Sequence, residues 1–391
     1  MVIRKLCVAF SATLLLVAGC GSDDDDAVET TTSSATGVAG VVAAAEAFLA
    51  TLDDDQKESV ELELSEANAT AWSNLPCGSS CRVGIQFETL SDDQLTAAKK
   101  VLQAATGSST GTGYDLVMQI LLADDYLGSV QGTQSAGPGA SGGPPGGMMS
   151  GAPPSGMSGM PSGGASGGPG GGTGSGYSSG NYFMAFLGTP STTDAWQLHF
   201  GGHHLAVNLT YKGGAVGGAS PFFVGVEPTS WEDDGTTYQP LESMRQALLK
   251  VTAGLSDTEK AKAKLGKTYT DVLVGPGEDG QFPETKEGLP VSGLTDDQKA
   301  LVLAAIKPWV AIVDDTTAAS LMKTYESELD QTYIGWSGTT GLTAHGDYVR
   351  IDGPSAWVEF VCQNGVVITN KIHYHTVYRD HTRDYGGEFD F

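Results

Sequence analysis

The sequence predicts an α+β fold of two similar halves, each running from helices into an antiparallel sheet. Two recurrences predict it. A helix-start signature appears four times, at Leu52-Asp53-Asp54-Asp55-Gln56, Leu90-Ser91-Asp92-Asp93-Gln94, Leu255-Ser256-Asp257-Thr258-Glu259 and Leu294-Thr295-Asp296-Asp297-Gln298. Each copy sets a leucine before an N-cap residue and a Gln or Glu three positions after it, the pattern of a capping box with a hydrophobic staple. The acidic first turns also suit the positive end of the helix dipole. Strand-rich stretches echo in the same way. Residues 182–189 parallel 332–339, and 196–208 parallel 348–360, the second pair as hairpins turning at Gly201-Gly202 and Gly353-Pro354. The halves fall at about 40–230 and 240–391 of one pseudo-duplicated domain, 38–391. A third observation is compositional: residues 131–180 hold 20 Gly and 7 Pro and no charged residue. That window cannot bury a core and reads as a disordered insert, an expanded loop in the first half.

Charge excludes one broad class. With 46 acidic and 21 basic side chains in 391 residues, the net charge is −25, so nucleic acid is not an expected partner. No run of about 18 apolar residues follows the N-terminus, so nothing is predicted to span a bilayer. Residues 1–20 read as a signal peptide, with Arg4 and Lys5 before a short apolar stretch from Leu6 to Ala18. Val17-Ala18-Gly19-Cys20 resembles a bacterial lipobox, which implies cleavage before Cys20, lipidation of its thiol and anchoring to the membrane. An acidic, Ser/Thr-rich tether follows at 21–37. Gly21 directly after the cysteine resembles outer-membrane sorting signals of diderm bacteria. The expected address is therefore the cell envelope, on an outer-membrane lipoprotein facing periplasm or surface.

Export fits the remaining cysteines. Cys77 and Cys81 enclose a flexible turn that a disulfide closes in an oxidising compartment. Cys362 lies in a predicted strand and reads as a small buried hydrophobe. Met148, Met149, Met157 and Met160 fall in the glycine-rich window, where soft thioethers offer a copper-handling alternative.

All seven histidines lie between His199 and His381, six of them in or beside two short clusters. Alternation along a strand sorts them by face. His203 goes with Leu205, Val207, Leu209 and Tyr211, hence toward a core. His204 goes with Ala206, Asn208 and Thr210, on the more polar face, and His199 is expected to face solvent. Along the last strand, His373 and His375 share a face with Val377 and Arg379, while Ile372, Tyr374, Thr376 and Tyr378 take the other. His373 and His375 thus project together, at a spacing suited to one metal ion. His204 would be the third ligand, and a carboxylate from Glu359 or Asp380 would complete an N/O site for zinc, iron or manganese. Glu227 or Glu359 would serve as general base to metal-activated water, and Arg379 would hold developing negative charge. Arg379, Asp380, Arg383 and Asp384 would position an anionic or hydroxylated ligand, or else form a surface ion-pair ladder.

No HExxH zinc signature, G-x-S-x-G elbow or phosphate-binding strand–loop–helix glycine motif is present. The chain resembles the uncharacterised bacterial domain of unknown function 3500 family. The resemblance rests on Trp72-Ser73-Asn74-Leu75-Pro76, Gly202-His203-His204-Leu205 with Asn208, Gly225-Val226-Glu227-Pro228 and His373-Tyr374-His375-Thr376-Val377-Tyr378-Arg379-Asp380. It spans roughly 40–390 apart from the insert. Val361-Cys362-Gln363-Asn364-Gly365 keeps only part of the family's Asn-rich segment. The resemblance strengthens His204, His373, His375 and Arg379 as site residues and brings no activity with it. The functional expectation is a membrane-anchored metal-binding hydrolase. The alternative is a surface lipoprotein that binds a small-molecule or polymer ligand without catalysis.

Overall fold

All four predicted capping boxes form. Asp53, Ser91, Ser256 and Thr295 each accept from the backbone N–H three residues on, and the Gln or Glu at that position returns the bond. They start α2 (Asp54–Val60), α4 (Asp92–Ala105), α7 (Asp257–Ala263) and α8 (Asp296–Val310), and they interlock in pairs. Gln94 donates to Gln56 and to the Thr51 carbonyl; Gln298 donates to Glu259 and to the Gly254 carbonyl. The capping residues therefore also dock each helix against the turn that ends α1 (Val38–Leu49) or α6 (Glu242–Gly254).

These elements belong to a computed structural model that describes residues 36–135 and 176–391. The predicted signal peptide with Cys20, the tether as far as residue 35, and the methionines of the insert lie outside the described residues. The described residues fall into one compact unit. The helices are completed by α3 (Glu66–Ala69), α5 (Gly113–Ser135) and α9 (Asp315–Ser327). Both ends of the predicted insert are structured. Residues 131–135 still belong to α5, and at its far end Tyr177 is buried with its ring 4.7 Å from that of His203. A lack of charge does not mark where packing stops.

Among the described residues, twelve strands form one sheet. Its path runs β1 (Glu61–Leu62), β3 (Phe183–Leu187), β4 (Trp196–Gly202), β5 (Leu205–Lys212), β7 (Phe222–Val226), β14 (Ile372–Asp380), β13 (Ala356–Asn364), β12 (Tyr348–Asp352), β11 (Tyr333–Ser337) and β10 (Leu289–Pro290). Strand β2 (Ile85–Gln86) adds to β3 and β6 (Ala215–Gly218) to β5, while β8 (Trp231–Asp233) and β9 (Thr236–Tyr238) form a separate hairpin. All pairings except β1–β3 are antiparallel. The order reads outward from the centre as β7-β5-β4-β3-β2 on one side and β14-β13-β12-β11-β10 on the other. The two predicted halves thus meet at an antiparallel seam, with Thr376 opposite Val224.

Alternation assigns the faces as the sequence predicts. Leu205, Val207, Leu209, Tyr374 and Tyr378 enter the main core, where the helices bring Phe48, Val101, Ile120, Val302 and Trp309. Each such fully buried side chain contributes about 1.5–3 kcal/mol of apolar transfer. The opposite face is not open to solvent. Ala206, Phe223, Val361 and Val377 form a second core with Trp72, Leu265, Tyr269 and Val272, which come from irregular segments. This covering layer corrects the placement of His199. It is buried, with Nε2 3.3 Å from the Ala71 carbonyl, because the polar face of its strand carries a loop rather than water. Among the described residues, no helix is long and apolar enough to cross a membrane.

Candidate metal centre

Two halves of the sheet contribute to one polar cluster under the loop layer. His373 and His375 stand on the same face of β14 at the central seam. His204 comes from the β4–β5 turn, and its carbonyl accepts the Gly225 N–H at 2.7 Å. One ligand nitrogen from each of His204, His373 and His375 lies within 4.8 Å of the other two. His373 Nε2 is 3.2 Å from His375 Nε2. Two nitrogens bound to one tetrahedral ion at about 2.0–2.1 Å stand about 3.3–3.4 Å apart, so this pair already has the bite of a chelate.

Gly225 makes the approach possible. A Cβ there would meet His204 Cδ2 at 2.6 Å and His375 Cδ2 at 2.9 Å, so both rings lie against bare backbone. A glycine inside a strand marks such a close approach. The imidazoles are neutral. Burial, then the neighbouring His203, pushes His204 down to about 4. Burial, then His375 and His204, pushes His373 down to about 2, and burial lowers His375. Neutral imidazole is the form that binds metal.

A carboxylate holds the outer nitrogen of His375. Asp271 Oδ1 lies 3.0 Å from His375 Nδ1, with Gln363 Nε2 3.1 Å from the same nitrogen. An anionic acceptor keeps the proton on Nδ1 and leaves Nε2 as the free lone pair, the usual outer arrangement of a metal-bound histidine. Burial pushes the Asp271 carboxyl up, but the hydrogen bond and charge of His375 outweigh it and leave it below its ordinary value. Asp124 Oδ1 lies 3.2 Å from His203 Nδ1 and 3.4 Å from His204 Nδ1, while its Oδ2 accepts from Tyr182 Oη at 2.8 Å. Asp124, His203 and His204 form a second group able to hold a cation. His373 Nδ1 is buried with no hydrogen-bond partner among the described residues.

The other predicted residues are distributed differently. Glu227 is buried near the cluster, where its charge favours cations at His204 and His375. Its Oε1 accepts the N–H groups of Val367 and Ile368 at 2.9 and 2.6 Å. Glu359 does not join the histidines. It shares their face, but both oxygens are taken by the N–H of Leu273 and Val274, Tyr348 Oη and Trp357 Nε1, at 2.7–3.0 Å. A carboxylate with four donors is neither a ligand nor a base, although burial raises its pKa. Arg379 is fully buried and binds Asp384 at 2.7 Å and Asp279 at 2.6 Å, so it is not a free anion holder. Asp380 points to the helical face, where it accepts from Tyr325 and Arg383 at 2.7 and 3.1 Å. The surface ladder expected of Arg379, Asp380, Arg383 and Asp384 is instead a largely buried network split between two faces. Cys77 and Cys81 form a disulfide, and Cys362 is free and buried.

Sequence reasoning misses Asp124, Asp271 and Gly225. Asp124 had a signal, because it interrupts the buried stripe of Leu116, Ile120, Ala123 and Leu127 on α5. So did Gly225, between Val224 and Val226. Asp271 had none, since it reaches His375 across 104 residues from an irregular loop.

A family model described as "Protein of unknown function (DUF3500)" matches residues 34–387. No curated protein and no solved structure matches the chain.

Proposed function

The chain belongs to this DUF3500 family over nearly its whole length, and from its geometry we propose a metal-dependent hydrolase of the bacterial cell envelope, lipid-anchored at Cys20 to the outer membrane. His204, His373 and His375 hold one divalent transition ion, zinc, iron or manganese. The observation that carries the reading is the 3.2 Å Nε2–Nε2 approach of His373 and His375, with Asp271 on the outer nitrogen of His375. When bound, such an ion supplies Lewis acidity and lowers the pKa of a coordinated water. The chain's own residues do the rest. Asp271 fixes the tautomer and orientation of His375, Gly225 lets the two rings converge, and Asp124 and Glu227 offset the incoming positive charge. With Glu359 engaged elsewhere, Glu227 is the remaining general base.

The test is Glu227→Gln in detergent-extracted full chain, assayed against ester, phosphoester and peptide substrates. Metal content should persist while turnover falls at least a hundredfold. Wild-type turnover that survives chelation and full metal removal would refute the proposal. A second reading, a binding lipoprotein that does no chemistry, has burial in its favour: the three histidines are each no more than 5% exposed. Cobalt substitution separates the two. Azide should shift the visible spectrum of a site with an open position and leave a closed one unchanged. Copper handling through the cysteine pair loses support, because the disulfide leaves no thiolate.

A further inference from the structure

The segment between α7 and β10, which brings Asp271 to the histidines, also lines a cavity of about 390 Å³. Its floor is Arg350 on β12, the cross-strand neighbour of Glu359 on the loop-covered face. Its walls include Lys267, Tyr269, Leu273, Pro283 and Glu287. Arg350 is 1% exposed, yet its Nε and Nη1 have no acceptor. Its Nη2 reaches Glu287 Oε2 at a long 3.4 Å, and that carboxylate is nearly half exposed. Buried guanidinium donors without partners are rare, because each forfeits its hydration. The guanidinium is held in place from behind, 5.1 Å over the Trp357 ring.

We propose that this cavity binds a small monocarboxylate with an apolar body, its carboxylate on Arg350. A planar carboxylate matches the guanidinium fork and would displace the weakly held Glu287. A dianion such as phosphate fits poorly, since Glu284 and Glu287 line the cavity and Glu359 and Asp352 lie close to the guanidinium. The apolar body has Leu273, Pro283 and the ring of Tyr269, which stacks on Tyr348 at 3.9 Å. The site rests on Arg350 and on none of the histidines, so it stands or falls apart from the metal reading.

Calorimetric titration of the full chain with sodium benzoate and sodium hexanoate tests it, with benzamide as neutral control and inorganic phosphate as dianion. Saturable binding of the carboxylates, none of benzamide and weaker binding of phosphate are expected. Arg350→Met should weaken benzoate at least tenfold. Because removal of a buried guanidinium can unfold the chain, Leu273→Trp provides the second variant. It fills the cavity from an exposed position and should also weaken benzoate tenfold or more. The proposal is overturned if neither carboxylate saturates, if benzamide binds as well as benzoate, if phosphate binds more tightly, or if Leu273→Trp leaves benzoate binding unchanged.

Discussion

Two polar clusters sit on the same loop-covered face of one sheet, and they differ in what their groups lack. Around Arg379 two carboxylates answer one cation: Asp384 takes Nε and Asp279 takes Nη2, Tyr385 donates to Asp279 and Trp72 to Tyr385, and only Nη1 has no partner. Around His373 and His375, the two Nε2 atoms are 3.2 Å apart and share one proton, while His373 Nδ1 and His204 Nδ1 have no hydrogen-bond partner. A buried group whose partners are complete is part of the architecture. A buried group whose lone pairs converge on one point is poised for something the chain does not supply. By that criterion Glu359, with four donors, is structural, Arg379 is tied up in ion pairs, and the histidines are the site we propose.

The comparison can be broken at its structural end. Arg379→Ala leaves Asp279 and Asp384 buried without their cation and should cost about 3–5 kcal/mol. Chemical denaturation measures that loss, and metal bound per folded chain should not change. Coupled loss of metal at full folding would merge the two clusters into one functional unit.

A second prediction concerns pH. Burial pushes His199 down to about 4, with the Ala71 carbonyl only partly opposing it. An unfolded histidine titrates near 6.5, so the unfolded chain binds this proton first. Stability from this group is intact above about pH 6.5 and is lost as pH falls toward 4, by about 3 kcal/mol in all. His199→Gln should flatten that part of the stability–pH curve, and an unchanged acid slope would show that the loop layer opens there.

At the metal end, Asp271→Asn should weaken metal affinity roughly 10–100-fold while leaving the fold intact, as loss of an outer carboxylate usually does. Competition with a chromophoric chelator reads the shift. The smallest effects belong to the helix caps. Ser91→Ala and Thr295→Ala each remove one capping box and should each cost about 1 kcal/mol. Similar losses would support equivalent roles in the two halves, and a strongly unequal pair would confine the duplication to geometry.

How much of this was legible depended on range. Capping boxes are local, and all four form as read. Side-chain alternation is local too: it sets His373 and His375 on one face of the last strand and His204 on the polar side of another, and the pairing of β7 with β14 brings the two together. The same rule already separates Arg379 from Asp380, since adjacent strand residues point to opposite faces. What alternation cannot say is what lies above a face. Alternation and polar neighbours predict a solvent-facing His199, but a loop covers it and supplies the Ala71 carbonyl. Glu359 was read as free because nothing near it in sequence shows that the Leu273 and Val274 amides reach it. Asp271 was missed for the same reason.

The most direct test of the central claim is elemental analysis by mass spectrometry on full chain purified without a polyhistidine tag, beside the His373→Ala/His375→Ala variant. About one equivalent of zinc, iron or manganese in the wild type, and none in the folded variant, is the predicted result. A wild-type protein that stays metal-free after reconstitution at neutral pH, or a double variant that keeps its full equivalent, would contradict it.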